Sequence, residues 1–224
     1  MRTLPFLLLA TGGFLAGSEV RPVDLRLTLM LTPETEPVEA SYVSSAGSGS
    51  SLTSDRLDIG YRVEAGLVTR VVELTPASSI VGGGWIFYGE QESGASGDLD
   101  MMVGPRSYLV FGIDLYLAWR VQFSHYVGME LGPVVGAGTT RFSDSMSTGA
   151  GSPPVEEVGH GDYEEAGMNL QFLIRNASRS FLLALGVRYM VSHGEADNSF
   201  GDVVQEVEVY QHGFAPFLSL GTTF

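Results

Sequence analysis

The sequence predicts an all-β protein whose strands close into a single eight-stranded, antiparallel, up-and-down β-barrel. Three observations predict this fold. Apolar and polar residues alternate with a period of two in most of eight segments, the connections between the segments are short and long in turn, and the last segment alternates up to Phe224. A period of two indicates strands, because successive side chains of a strand point to opposite faces.

The first four predicted strands lie in the N-terminal half of the chain. The first begins at Val23 and the second at Arg56, and both set an apolar face against a charged one. The third covers residues 80–88, where the run Gly82-Gly83-Gly84 hides the phase of the alternation. The fourth begins near Tyr108 and again has one apolar face. These segments therefore favour a sheet with two faces of opposite character.

The last four predicted strands continue this pattern to the C terminus. They begin at or near Val127, Met168, Phe181 and Gly213. Val207 and Val209 are out of phase with the apolar residues of the eighth strand. This offset predicts a β-bulge or a strand break at residues 211–213.

The connections between strands alternate in length. Four of them are predicted to be long and rich in acidic residues, glycine or serine: residues 32–55, 90–107, 143–163 and 193–202. The others are short turns. Short turns at one end and long loops at the other are typical of barrels that cross the outer membrane of bacteria, where the long loops are extracellular.

The composition of the two faces favours a transmembrane barrel over a soluble one. A soluble barrel fills its interior with apolar side chains, whereas here the face opposite the apolar one carries charges of both signs. Burying an unpaired charge is costly, so inward charges must pair. The predicted polar network of the lumen consists of Asp24, Arg26, Asp58, Arg62, Glu64, Asp114, Glu130 and Arg188.

Aromatic residues on the apolar face predict two interfacial girdles. Trp119, Phe181 and Phe224 fall at the end with the short turns, where one girdle is expected. Tyr189 and Phe214 lie about eight to ten residues further along their strands, near the length a tilted strand needs to cross the hydrocarbon. These two residues are the predicted outer girdle.

The N-terminal segment predicts secretion. Arg2 precedes an apolar stretch, and Ala16-Gly17-Ser18 offers small residues for cleavage, so residues 1–18 are predicted to be a signal peptide and residues 19–224 the barrel. The absence of cysteine excludes disulfides and thiolate metal sites. The net charge of −14 makes nucleic acid an unfavourable partner.

The terminal strand carries a resemblance to a known family. Residues 213–224 alternate and place Phe214, Leu218, Leu220 and Phe224 on the apolar face, which resembles the small outer-membrane barrels of the OmpA, OmpX and OmpW type. The resemblance implies recognition of this segment by the outer-membrane assembly machinery, and termini on the periplasmic side. Thr222, where the family favours a bulkier residue, and Pro216 depart from its pattern.

Three functions remain open from the sequence. The favoured one is a non-enzymatic structural or surface-interaction protein with a largely plugged lumen, a monomer in contact with outer-membrane lipid and lipopolysaccharide. A narrow or laterally opening channel for small solutes is the alternative. An enzyme that modifies lipid A is the third, although Ser192 and His193 are adjacent in a strand and cannot pair. No metal or cofactor is predicted, and the acidic residues 156–165 are predicted to form a flexible loop.

Overall fold

The structure is a computed structural model that describes residues 22–44, 47–52, 56–93, 106–146, 155–200 and 203–224. The predicted signal peptide, residues 1–18, lies outside the described residues and stays a prediction. No helix in the described part of the chain is long and apolar enough to cross a membrane.

Ten strands account for most of the described residues. Their bounds are β1 Val23–Thr32, β2 Glu39–Ser44, β3 Gly47–Leu52, β4 Gly60–Thr75, β5 Ser78–Glu92, β6 Ser107–Gln122, β7 Val127–Met146, β8 Val155–Arg175, β9 Phe181–Phe200 and β10 Val203–Thr223.

Eight of these strands form a closed antiparallel ring. Their order is β1-β4-β5-β6-β7-β8-β9-β10, and β10 pairs back onto β1 from Asp24↔Thr223 to Met30↔Phe217. The predicted eight-stranded barrel is therefore confirmed. Closure leaves no unpaired edge around the ring, which is the condition for placing strands in hydrocarbon.

The remaining two strands form a hairpin within a segment that was predicted to be a loop. β2 and β3 pair with each other, and β2 also pairs with the N-terminal part of β10, from Glu39↔Glu208 to Val43↔Val204. The prediction of a long loop over residues 32–55 is wrong for these twelve residues.

Four strands of the ring are longer than predicted. β7 to β10 contain 20 or 21 residues each, whereas crossing the hydrocarbon takes about 9–11 residues. Much of the predicted long loops 143–163 and 193–202 is therefore strand. We call the parts of β7 to β10 that lie farthest from the short turns, together with β2 and β3, the projecting wall. In the four long strands it covers residues 138–146, 155–164, 193–200 and 203–210.

The phase of the alternation is continuous where the sequence suggested a break. β10 pairs with β9 without a register shift from Val203↔Phe200 to Thr222↔Phe181, so the predicted bulge or strand break at residues 211–213 is wrong. Val207 and Val209 point into the interior, as Ala215 does. Leu218 and Leu220 of β10 thus face outward near the C terminus, whereas Val207 and Val209 face inward in the projecting wall.

The third predicted strand also has a definite phase. In β5, Val81, Trp85 and Phe87 are buried, whereas Ile86 and Tyr88 are exposed. The glycine run therefore continues the alternation without a reversal.

The outside of the ring is apolar over its membrane-sized section. Leucines at alternate positions of β1 are 43–56% exposed, and the same holds for outward residues of the neighbouring strands. Such residues on β1 and β6 are Leu25, Leu27, Leu29, Leu31, Phe111, Ile113, Leu115 and Leu117. A contiguous apolar surface of this size in a polar-cored barrel is suited to lipid rather than water.

Candidate functional site

Two charged networks and an apolar cap fill much of the interior of the ring, beside smaller clusters of buried apolar side chains. The mouth network lies near the short turns and contains Asp24, Arg26, Arg120, Glu130 and Arg175. The central network contains Arg62, Glu64, Asp114, Glu165 and Arg188. The apolar cap lies on the side of the projecting wall and contains Val38, Ala40, Leu57, Phe87, Tyr108, Val110, Phe142, Tyr163, Ala196, Val207 and Val209.

The mouth network is organised around two carboxylates. Arg26 binds Glu130 with both terminal nitrogens at 2.8 Å, and its Nη2 lies 3.0 Å from Asp24 Oδ2. Arg120 donates from Nε to Glu130 Oε1 at 2.6 Å and from Nη2 to Asp24 Oδ2 at 2.7 Å. Arg175 Nη2 donates to the same Asp24 oxygen at 2.9 Å. Three guanidinium groups thus face two carboxylates.

Neutral side chains complete the hydrogen bonding of Glu130. The amide of Gln171 donates to Glu130 Oε2 at 2.6 Å, and the hydroxyl of Tyr116 donates to the same oxygen at 3.1 Å. A fully buried carboxylate needs this number of donors, because a buried charge without hydrogen bonds is strongly unfavourable.

The central network joins strands on opposite sides of the ring. Arg188 on β9 binds Glu64 on β4 with Nη1 at 2.8 Å and Nη2 at 3.0 Å. Its Nη1 lies 3.1 Å from Asp114 Oδ2 on β6, and its Nε donates to Asn169 Oδ1 at 2.8 Å. Paired N–H donors on one carboxylate are a strong and geometrically specific arrangement.

Arg62 supplies the second positive charge of the central network. Its Nε lies 2.9 Å from Glu64 Oε1, and its terminal nitrogens donate to Asp114 and Glu165. Its guanidinium carbon lies 3.6 Å from the centre of the Phe87 ring, a cation–π contact with the apolar cap. Two guanidinium groups therefore serve three carboxylates.

Glycines provide room for these side chains. A Cβ at Gly136 would meet the Asp114 carboxylate and would lie 2.8 Å from Glu165 Cγ. A Cβ at Gly112 would lie 2.6 Å from Phe87 Cζ. An eight-stranded ring is just wide enough for side chains, so large inward residues require small neighbours.

Seven of the eight residues predicted for the lumen lie in the two networks. They are buried, with Arg26, Arg62 and Arg188 each 1% exposed. Asp58 is the exception, because the regular strand begins only at Gly60 and the chain before it does not keep the alternation. Leu57 consequently turns inward into the apolar cap, and Asp58 is exposed.

The structure adds charged residues that the sequence interpretation did not assign to the lumen. Arg120 continues the inward phase of Asp114 and Tyr116 on β6, so the alternation itself contained this signal. Glu165 was assigned to an acidic loop, but it lies in β8 in phase with the inward Asn169. Arg175, the last residue of β8, binds Asp24.

The predicted girdle residues lie on the outside of the ring. Trp119, Phe181 and Phe224 are 45%, 47% and 67% exposed. Trp119 donates its indole N–H to Ser78 Oγ at 2.7 Å, near the turns. Tyr189 and Phe214 pack edge to face with ring centres 5.2 Å apart.

The terminal strand accommodates its two unusual residues. Leu218, Leu220 and Phe224 face outward, as the resemblance implies. Pairing of β10 with β1 ends at Phe217, so Pro216 lies just beyond this seam, where its missing N–H breaks no bond to β1. Thr222 Oγ1 donates to the carbonyl of Ser180 at 2.8 Å.

The residues considered for hydrolysis do not form a catalytic set. Ser192 is buried and bonds Gln211 at 3.4 Å, whereas His193 points outward and stacks on Tyr210 with ring centres 4.5 Å apart. Tyr210 donates to Glu208 Oε2 at 2.5 Å, and this hydrogen bond raises the pKa of Tyr210 to about 12. These outward residues are components of the projecting wall.

The acidic segment considered for cation binding is extended. Residues 156–165 belong to β8, so their side chains alternate between two faces instead of converging. Among the residues that the structure describes, no three His, Cys, Asp or Glu side chains are grouped to hold a metal ion.

The closed ring, its inward charges and its outward apolar band define the class of protein. The fold is that of the small eight-stranded outer-membrane β-barrels. No protein-family model and no curated protein sequence matches the chain.

Several solved structures are similar to the chain. OprG, an outer membrane protein of Pseudomonas aeruginosa, has 12% identity and a TM-score of 0.47, with 93% of this chain and 98% of that chain covered. Neisserial surface protein A has 13% identity and a TM-score of 0.38, with 90% and 97% covered. Ail, the attachment invasion locus protein of Yersinia pestis, has 10% identity and a TM-score of 0.27, with 88% and 98% covered.

Proposed function

We propose that this protein is a non-enzymatic barrel of the bacterial outer membrane, with a closed lumen and a surface-interaction role carried by the projecting wall. The observation that carries the proposal is the central network. Its five charged groups come from β4, β6, β8 and β9 and meet in the middle of the ring. A solute that crossed the lumen would have to separate these buried pairs, which is strongly unfavourable.

The projecting wall supports the second part of the proposal. Its outward face is acidic along three adjacent strands, with the exposed residues Asp162, Glu164, Glu195, Asp197 and Glu206. Strands that continue beyond the hydrocarbon present this face to water, at the end opposite the short turns. An acidic, rigid sheet is suited to contacts with cationic groups or with divalent cations that bridge to anionic surface polysaccharide.

The orientation and partners follow from the same features. We place the short turns and both ends of the barrel on the periplasmic side and the projecting wall outside the cell. The apolar band contacts lipid and, in the outer leaflet, lipopolysaccharide. The terminal strand, ending at Phe224, engages the assembly machinery during insertion, and the barrel works as a monomer.

Conductance in planar lipid bilayers tests the closed lumen. We expect no large, stable conductance from the inserted protein, because both networks and the apolar cap fill the interior. Insertion is verified on the same preparation by the heat-dependent shift in gel mobility of a folded barrel. A stable open conductance in ordinary salt would contradict the closed lumen and favour the channel.

The enzymatic alternative is tested separately. Lipid A from cells with and without the protein should give identical mass spectra. A mass difference that requires the protein would overturn the non-enzymatic assignment.

A further inference from the structure

A cavity of about 380 Å³ opens at the short-turn end of the ring. It lies between the mouth network, the β4–β5 turn and the β8–β9 turn, and no predicted site residue except Asp24 and Phe224 lines it. Its volume is within the range of cavities that bind small molecules, about 300–1,000 Å³. It is therefore large enough for a small ligand.

The charge of this cavity is opposite to that of the chain. Four of its lining residues are arginines and two are acids: Arg70, Arg120, Arg175, Arg179, Asp24 and Glu73. These side chains sum to a positive charge, although the whole chain has a net charge of −14. The positive charges thus concentrate here although arginine is scarce.

Two of the arginines have donors to spare. Arg120 uses Nε and Nη2 for Glu130 and Asp24, and Arg175 uses its terminal nitrogens for Asp24 and Thr223. Among the bonds of the described residues, Arg120 Nη1 and Arg175 Nε have no acceptor. Both side chains are mostly buried, 16% and 8% exposed, so the carboxylates hold them in fixed orientation.

Arg179 adds a conformational argument. Its φ of 59° lies in the left-handed region, which glycine adopts without strain and an arginine does not. The turn would therefore form more easily with glycine at this position. Instead the chain places an arginine at the rim of the cavity, where its Nη2 lies 2.7 Å from His125 Nδ1.

We propose that this cavity binds a small oxyanion of the phosphate type that carries at least two negative charges. The buried Arg120 and Arg175 contact it from the interior, and Arg70 and Arg179 contact it from the rim. Planar guanidinium groups match pairs of phosphate oxygens, and charge-assisted bonds of this kind are the strong ones in proteins. The hydroxyls of Ser78 and Ser178, which also line the cavity, supply neutral donors.

Trp119 provides a reporter for the test. Its indole N–H is bonded to Ser78 Oγ, and Ser78 is one of the residues that line the cavity; Trp85 is the chain's other tryptophan. The protein with Trp85→Phe, folded in a neutral detergent, is titrated with inorganic pyrophosphate at constant ionic strength. We expect a saturable change in Trp119 fluorescence and broadening of the pyrophosphate phosphorus resonance.

Rim variants separate binding from folding. Arg179→Gly should weaken pyrophosphate binding at least about tenfold, as expected for the loss of one charge-assisted contact, while its resistance to unfolding is unchanged or higher. Arg70→Gln should weaken binding as well, whereas Arg141→Gln, an exposed arginine that does not line the cavity, should not. Binding that is not saturable, or that is equal in Arg179→Gly and Arg141→Gln, would overturn the proposal.

The source of the phosphate is distinguished by changing the lipid. If lipid headgroups occupy the cavity, pyrophosphate binding should weaken in nanodiscs that contain phosphatidylglycerol, relative to phosphatidylcholine, and Arg179→Gly should abolish this difference. If the ligand is a free phosphate compound, the two lipids should give the same affinity. Both results support an oxyanion site, whereas the absence of pyrophosphate binding in both lipids contradicts it, as the rim-variant outcomes above would.

Discussion

Replacing Arg62 with methionine is expected to lower the free energy of unfolding by about 3–5 kcal/mol, the usual cost of removing one partner from a buried ion pair. The guanidinium group of Arg62 contacts Glu64, Asp114 and Glu165, and all four side chains are buried. Without it, three carboxylates share Arg188 alone. Methionine keeps much of the volume over Phe87, so the loss reports on charge rather than on packing.

Urea unfolding of the protein inserted in phospholipid vesicles measures this effect. The matched control is Arg70→Met, because Arg70 and Glu73 form an ion pair of 2.6 Å whose side chains are 36% and 51% exposed. Exposed pairs of this kind contribute about 0–1 kcal/mol. Equal stability of the Arg62→Met and Arg70→Met proteins would show that the central network is not a buried charge cluster.

A second variant tests whether the network acts as a unit. Glu165→Gln removes one of the three carboxylates, and combined with Arg62→Met it should cost less than the sum of the single substitutions. Groups in one network commonly show coupling of about 0.5–3 kcal/mol. Additive effects would indicate that Arg62 and Glu165 do not interact.

The membrane section of the fold could be predicted from the sequence because its two faces differ most in polarity. Leu25 faces the lipid and Arg26 faces the polar interior, so the type of each residue indicates the face on which it lies. The same contrast allowed seven residues of the lumen to be assigned before their partners were known. The partners themselves, such as Arg188 for Glu64, depend on how the ring closes, which a single strand does not reveal.

The projecting wall could not be predicted because its polarity is inverted. On β10, Leu218 and Leu220 face outward from the ring, whereas in the wall Val207 and Val209 face inward and Glu206 faces water. Val207 and Val209 therefore lie on the inner face of β10, although the strand register does not change. The sequence predicts a bulge or a strand break at this inversion, whereas the strand continues through it without a register shift.

The sequence of the β2–β3 hairpin carries little indication of strand structure. Its second strand is Gly47–Leu52, five glycines and serines followed by one leucine, which has no apolar alternation. Its pairing depends on β10, more than 150 residues away in the sequence. Composition alone favours a loop in such a segment, so the strand assignment requires the tertiary structure.

The second prediction with a large expected effect tests whether the outward face of the ring contacts lipid or water. Leu115→Arg is expected to destabilise the protein in vesicles by about 2–4 kcal/mol, the cost of an arginine near the middle of a bilayer on the lipid face of a barrel. Leu115 is 55% exposed and lies between Gly84 and Val135 in the sheet, so an arginine fits sterically. The substitution therefore changes solvation and not packing.

Val204→Arg is the matched control for Leu115→Arg, because Val204 is also an outward apolar residue of a strand, 47% exposed, but belongs to the projecting wall. An arginine in water loses no solvation, and at this position it faces an acidic surface. The free energy of unfolding of the Val204→Arg protein should therefore change by less than about 0.5 kcal/mol. If the whole outer surface were exposed to water, the two substitutions should change the free energy of unfolding by the same amount. The difference between them, measured by urea unfolding in the same vesicles, therefore reports directly whether lipid covers the ring and ends below the wall.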